Sequence, residues 1–188
     1  MVHVGSKQAR PTAAASEGSP HTRVCGAVEG FVVSIAPILQ RYLASRHIAY
    51  DLIAHELTLS SAGTAGACHI PADRLAKGVV LRTGDGYVLA VLPACHRLCC
   101  GHLRARFGKD CALATEHELG QLFPDCVHGA VPPVGECYGL DVILDDSVRE
   151  QPEIYFEGGD HATLVHMTQP QFARLTGNAP HGCFTTPS

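Results

Sequence analysis

The sequence predicts a single α/β domain in which helices cover a mixed, largely antiparallel central sheet. Three observations lead there. The chain has 188 residues, enough for one domain with a real core and too few for two comfortable ones. Two nearly all-apolar runs, "GVVLRT" and "GYVLAVLP", flank Asp85 and Gly86, a dipeptide favoured in tight hairpin turns. Segments with helical spacing alternate with short apolar runs on either side, and no internal repeat is present. A hairpin apolar along both arms belongs in the middle of a sheet covered on both faces.

The elements follow in order. Residues 1 to 24 are small, polar and aperiodic and are read as a disordered leader, with the folded unit over 25–176. Ser34 is placed to cap a first helix, with Pro37 in its opening turn. Ile35, Ile38, Leu39, Tyr42 and Leu43 make its apolar stripe, which ends near Arg46. "IAYDLIAH" (48–55) reads as a strand, and "SSAGTAGACHI" (60–70) as a weak helix diluted by Gly63 and Gly66. After the hairpin a helix is expected over 95–106, then a short strand at "CALA" (111–114). Thr115 and Glu118 have the spacing of a capping box for the next helix. "LDVIL" (140–144), "EIYFE" (153–157) and "TLVHM" (163–167) read as strands. Thr168 is placed to cap a last helix to Leu175, and residues 177–188 as a loose tail.

Composition excludes some functions. The formal charge is −4, from 14 basic and 18 acidic residues, which argues against coating long duplexes by counter-ion release. A nucleic acid gripped at one end needs only a few local cations. The longest apolar stretch near the start, "FVVSIAPIL" (31–39), is too short to span a bilayer, so no membrane partner is expected. Nine cysteines without an apolar signal region fit free thiols in a reducing cytoplasm. A transit peptide is a weak alternative, since Lys7, Arg10 and Arg23 outnumber Glu17 in the leader.

Several stretches carry candidate chemistry. Alternation puts Lys77 on the same strand face as Val79 and Leu81, where a cation needs something anionic to meet it. The Gly- and Pro-rich loop "GAVPPVGECYG" (129–139) reads either as a rigid connection or as preorganised backbone donors for an oxyanion or phosphate. "GGDHATLVHM" (158–167) sets Asp160 and His161 between two strands. A turn is the plain reading, and a carboxylate for a substrate amino group the functional one. In "CHRLCCGH" (95–102), Cys95, Cys99 and His102 fall on one face of the expected helix. They are spread over about 10 Å of rise and cannot close on one ion. No CxxC pair and no G-x-S-x-G elbow occurs, so neither a metal nor a covalent nucleophile is expected.

Taken together, "AHELTLSSAGTAGACHIPADRLAKGVVL", "LAVLPACHRL", "LATEHELGQLFPDCVHGAVPPVGECYGLDVILDDSV" and "EIYFEGGDHATLVHM" resemble the YbaK/prolyl-tRNA synthetase-associated editing domain in its free-standing form. The similarity covers roughly residues 35 to 175 in the family's order. The resemblance implies a trans-editing deacylase that hydrolyses the ester of a mischarged tRNA, typically alanine or cysteine on tRNA(Pro). It would use no cofactor and no metal. The family's functional lysine falls on Lys77. Substrate binding falls on Gly129, Ala130, Val131, Pro132 and Pro133, on Gly159, Asp160 and His161, and on His69 at the head of the lysine segment. The implied partners are the acceptor end of the tRNA and an aminoacyl-tRNA synthetase. Gly78 stands where Thr or Ser often follows the lysine, and Val134 where an aromatic often follows the prolines; both bear on which amino acid is removed. Two other readings remain: a non-catalytic module binding a tRNA acceptor end or nucleotide, and a thiol- or metal-responsive regulator.

Overall fold

The computed structural model describes residues 21–24, 33–58, 60–107 and 111–188. It opens with β1 (His21–Val24), α1 (Pro37–Ser45), β2 (Asp51–Ala54) and α2 (Ser61–Ala67). The hairpin β3 (Leu75–Thr83) and β4 (Gly86–Pro93) follows. Next come β5 (His96–Leu98), α3 (Cys100–Phe107), β6 (Ala112–Leu113) and α4 (Glu116–Leu122). A 3-10 turn at Glu136–Tyr138 leads into β7 (Asp141–Asp145), α5 (Asp146–Arg149), β8 (Glu153–Glu157), β9 (Thr163–Thr168) and α6 (Gln169–Thr176). The chain ends in β10 (His181–Gly182) and β11 (Thr185–Pro187).

The main sheet runs β1-β2-β9-β8-β3-β4-β7-β10, with β6 added to β3, while β5 and β11 pair apart from it. The sheet is mixed: its two longest ladders, β3–β4 and β8–β9, are antiparallel, as is β2–β9, whereas β1–β2, β3–β8, β4–β7 and β7–β10 are parallel. The hairpin lies at its centre, as both apolar arms require. Leu89, Ala90, Val91 and Leu92 of β4 are completely buried. One face carries the larger core, where Leu39 and Leu43 of α1 and Phe172 and Leu175 of α6 meet Ala76, Val80, Val91 and Phe156. The opposite face is covered in two patches. Ala65 of α2 packs on Leu75 and Leu164, and Leu103 of α3 packs with Phe184 on Leu81, Ala90 and Ile143.

Several local expectations are corrected by tertiary contacts. Ser34 is exposed and lies outside α1; Pro37 opens the helix, and the Ile38 N–H donates to Asp125 Oδ2 at 2.7 Å from a distant loop. The hairpin loop is Gly84–Asp85 rather than Asp85–Gly86, because Thr83 pairs with Gly86. The helix expected over 95–106 is broken: His96–Leu98 is a strand, because Thr185–Pro187 pairs along it, and only Cys100–Phe107 is helical. Cys95, Cys99 and His102 therefore share no helix face. Thr168 stands at the start of α6 without a side-chain cap bond. The capping box at α4 forms as its spacing predicts. Thr115 Oγ1 accepts the Glu118 N–H at 3.3 Å, and the Thr115 N–H donates to Glu118 Oε2 at 2.7 Å.

Both ends of the folded unit differ from expectation. His21–Val24, read as leader, pairs in parallel with Asp51–Ala54; residues 1–20 lie outside the described residues. The tail, read as loose, is docked. Phe184 is buried, its N–H donates to Asp145 Oδ2 at 3.1 Å, and its carbonyl accepts the Cys99 N–H at 2.9 Å.

Candidate functional site

A gap in the sheet organises the site. β3 and β8 pair only at Leu75–Tyr155 and Ala76–Phe156 before they separate. On that edge β3 regains a partner at Val80, whose carbonyl accepts the Ala114 N–H at 2.9 Å, and at Leu81, opposite Leu113. Among the described residues, Lys77, Gly78 and Val79 therefore have no strand beside them on that edge. Crevices where parallel strands part are favoured places for ligands, because backbone groups there are still free to bond.

Lys77 shares a face with Leu75, Val79 and Leu81, as alternation demands. It lines a cavity of about 350 Å³ with Val79, Leu81, Leu92, His96, Arg97 and Arg104 among its walls. Among the described residues no carboxylate lies within ion-pair distance of it. Its Nζ instead donates to the Ala94 carbonyl at 3.0 Å. Burial lowers its pKa, the nearby Cys95 opposes this, and Arg97 adds to the lowering.

The structure brings Gly129, Gly159, Asp160 and His161 together. Gly129 has φ +84, and a Cβ there would stand 3.4 Å from His161 Nε2. His161 is buried, with φ +61, and its Nε2 lies 2.7 Å from the His128 carbonyl, which fixes Nε2 as the donor. The Val127 N–H donates to the Gly159 carbonyl at 2.7 Å. Gly159 has φ +113 and leaves room for Ala36 and Cys126, which a Cβ would meet at 2.9 and 3.1 Å. Asp160 is committed to its own turn: Oδ1 accepts the N–H groups of Ala162 and Thr163 at 2.9 and 2.7 Å, and Oδ2 accepts the Thr163 hydroxyl at 2.8 Å.

The Pro-rich loop approaches β3 from the face opposite Lys77. A Cβ at Gly78 would meet Val131 Cγ1 at 3.2 Å and the Pro132 carbonyl at 3.5 Å. Pro132, Pro133 and Val134 are buried, and the Ala130 N–H is spent on the Val127 carbonyl at 3.0 Å. The N–H groups of Gly129 and Val131 have no protein acceptor among the described residues. The lysine and the loop thus flank the open edge from its two sides. His69 stands apart. It is exposed just beyond α2 with φ +53, its N–H donating to the Gly66 carbonyl at 3.3 Å.

A buried polar cluster escaped the reading of the sequence. His55 is fully buried, and its Nδ1 lies 2.7 Å from the Glu56 carbonyl. Its Nε2 stands 4.0 Å from Glu157 Oε2, and among the described residues neither atom has a hydrogen-bond partner. Glu157 Oε1 accepts the Thr64 hydroxyl at 3.0 Å. Burial raises the Glu157 carboxyl above its usual range despite His55 and Thr64. Nothing in "IAYDLIAH" or "EIYFE" marks this pair, because only the sheet brings residues so distant in sequence together.

The thiols near the loop are poor nucleophiles. Burial pushes Cys126 up to about 11 and Cys137 up to about 12, so both stay protonated at neutral pH. Among the described residues no three His, Cys, Asp or Glu side chains are grouped closely enough to share an ion. None of the described helices is long and apolar enough to cross a membrane.

A family model for the aminoacyl-tRNA editing domain matches residues 55–175. Solved structures share the fold. One is a candidate trans-editing enzyme for prolyl tRNA synthetase: 24% identity, TM-score 0.69, covering 82% of this chain and 100% of that one. A hypothetical protein is similar at 20% identity and TM-score 0.70, covering 79% of this chain and 99% of that one. A candidate signal transduction protein from Marinobacter aquaeolei reaches TM-score 0.64 at 18% identity, covering 81% of this chain but 31% of its own length. No curated protein matches in sequence.

Proposed function

The chain belongs to the aminoacyl-tRNA editing domain family, and on that premise we propose that it hydrolyses the ester of a mischarged aminoacyl-tRNA, with Ala- and Cys-tRNA(Pro) as first candidates. The observation that carries the reading is the family match over 55–175, which spans Lys77, the 129–133 loop and the 159–161 turn. An aminoacyl ester is already reactive. The protein must hold it, admit one water and stabilise a tetrahedral oxyanion. Lys77, a half-buried cation that has no carboxylate partner among the described residues and donates to a backbone carbonyl, is the group for that oxyanion or for the terminal phosphate. The Gly129 and Val131 N–H groups across the open edge are the backbone donors. No metal and no covalent nucleophile enter this mechanism.

Single-turnover hydrolysis of Ala-tRNA(Pro) and Cys-tRNA(Pro) tests it. Lys77→Ala should slow the reaction on the order of 10²-fold or more, the scale of losing one oxyanion donor. Folding should survive, since the hydrogen bond to the Ala94 carbonyl that is lost is worth about 1.5–3 kcal/mol. Lys77→Arg should also fail largely, because a planar fork does not replace a compact ammonium. Equal rates for wild type and Lys77→Ala would sink the mechanism.

A further inference from the structure

We infer that His96 is the proton acceptor for the hydrolytic water, held in its basic tautomer by Thr185 and Asp145, so that the C-terminal tail completes the active site. The inference rests on the deacylase reading above.

β5 places His96 on the wall of the cavity that Lys77 lines. Lys77 leans toward the same corner, its Nζ donating to the carbonyl of Ala94, two residues before His96. The tail holds this corner: Thr185 pairs with Leu98, Pro187 pairs with His96, and the Ser188 N–H donates to the Cys95 carbonyl at 2.8 Å.

The tautomer follows from counting protons. Asp145 is 2% exposed; its Oδ1 accepts the Ser147 N–H at 3.1 Å and the Ser147 hydroxyl. Its Oδ2 accepts the Phe184 N–H at 3.1 Å and the Thr185 hydroxyl at 2.9 Å. Burial opposes its charge, but these hydrogen bonds outweigh it and hold the carboxyl below its usual value, so Asp145 is an acceptor only. Thr185 has one hydroxyl proton and gives it to Asp145. His96 Nδ1 lies 2.8 Å from Thr185 Oγ1, and that oxygen can only accept there. Nδ1 therefore carries a hydrogen, so in the neutral ring it is Nε2 that holds the lone pair. Nε2 has no protein partner among the described residues. Among the described residues no carboxylate lines the cavity to compete for that proton.

The step balances without a further reactant. The water oxygen attacks the ester carbonyl carbon while Nε2 takes one of its protons. The carbonyl electron pair becomes the oxyanion beside Lys77. Collapse re-forms the carbonyl and breaks the bond to the ribose oxygen, which takes the proton back from the imidazolium. The amino acid and the free ribose hydroxyl leave, and His96 is neutral again. His96 touches the reacting water; Thr185 is a positioning residue.

The test is single-turnover deacylation of a mischarged-tRNA panel across pH, with His96→Gln, His96→Gly, Thr185→Val and Thr185→Ser. Around His96 the titratable or charged groups among the described residues are Lys77, Cys95, Arg97, Arg104, Cys111 and Asp145. His96→Gln should lose about 10²- to 10⁴-fold, the usual range for a general base, and with it the acid-side fall in rate. Added imidazole should restore part of the His96→Gly activity. Thr185→Val should be slow and Thr185→Ser close to wild type. Wild-type rates in His96→Gln would overturn the inference and leave the deacylase reading standing. So would losses that neither imidazole nor Thr185→Ser repairs, which would mark a merely structural corner. A wild type inactive on the whole panel would overturn both.

Discussion

Gly78 and Lys77 are neighbours on β3 that face opposite ways, and the missing side chain of one matters as much as the charge of the other. A Cβ at Gly78 would stand 3.0 Å from Leu89 Cδ1 and 3.2 Å from Val131 Cγ1. The bare backbone is what lets the Pro-rich loop lie on the strand. Gly78→Val should therefore cost about 1–3 kcal/mol by overpacking, read as a lower urea midpoint, and should slow deacylation by displacing Val131 and Pro132. An unchanged midpoint would mean that the loop yields freely. The direction of Lys77 was legible in the sequence, because a strand alternates with period two. The packing role of Gly78 was not, because Val131 and Pro132, which lie against it, are more than fifty residues further along the chain.

At the scale of elements, α4 shows local chemistry that titrates. The Thr115 N–H, the Tyr87 hydroxyl and the Thr115 hydroxyl all donate to Glu118 and pull its carboxyl down to about 2. A carboxyl depressed in the folded state stabilises above its unfolded value, and that contribution is lost as pH falls through the folded value. The α4 cap should thus persist at pH 4 and fade near pH 2, with Thr115→Ala raising the Glu118 midpoint in an NMR titration. A midpoint at the ordinary glutamate value would show that the box is open in solution. The tail is the contrasting element. Phe184 is 3% exposed and closes the patch formed with Leu81, Ala90, Leu103 and Ile143. Phe184→Ala should cost about 3–5 kcal/mol, as buried Phe truncations do, measured by urea unfolding. A loss of only a few tenths would mean that the tail is undocked in solution.

At the scale of the molecule, the sheet order sets a gradient of protection. β4 lies between β3 and β7, with helices on both faces, whereas β1 is exposed and, among the described residues, pairs only with β2. Hydrogen exchange should therefore be slowest at Leu89–Leu92 and fast at His21–Val24, because central strands open only with the whole domain. Fast exchange at Val91 would refute the central hairpin. The same order explains why the site lies where it does. β8 pairs with β3 for two residues, then turns away into Gly158–His161, and the 127–134 loop packs against both that turn and Gly78.

Near neighbours in the chain were enough for the α/β class, the hairpin, the capping box at α4, the three strands after residue 139 and the face on which Lys77 sits. Each follows from a period of two or 3.6 residues, or from a cap three residues long. The quoted motifs also identified the family. The rest came from long-range packing. The fold settles these points through contacts far apart in sequence. It broke the expected 95–106 helix, because Thr185–Pro187 offers His96–Leu98 a strand partner. It capped α1 with Asp125 rather than Ser34, because the first free N–H after Pro37 meets a carboxylate far along the chain. It docked a tail with no helical or strand period of its own, because a buried Asp145 collects donors from Phe184 and Thr185. Contacts between residues 40 to 102 positions apart leave no periodic trace, so the pairing of His55 with Glu157 and the orientation of His96 became visible only when the sheet had brought them together.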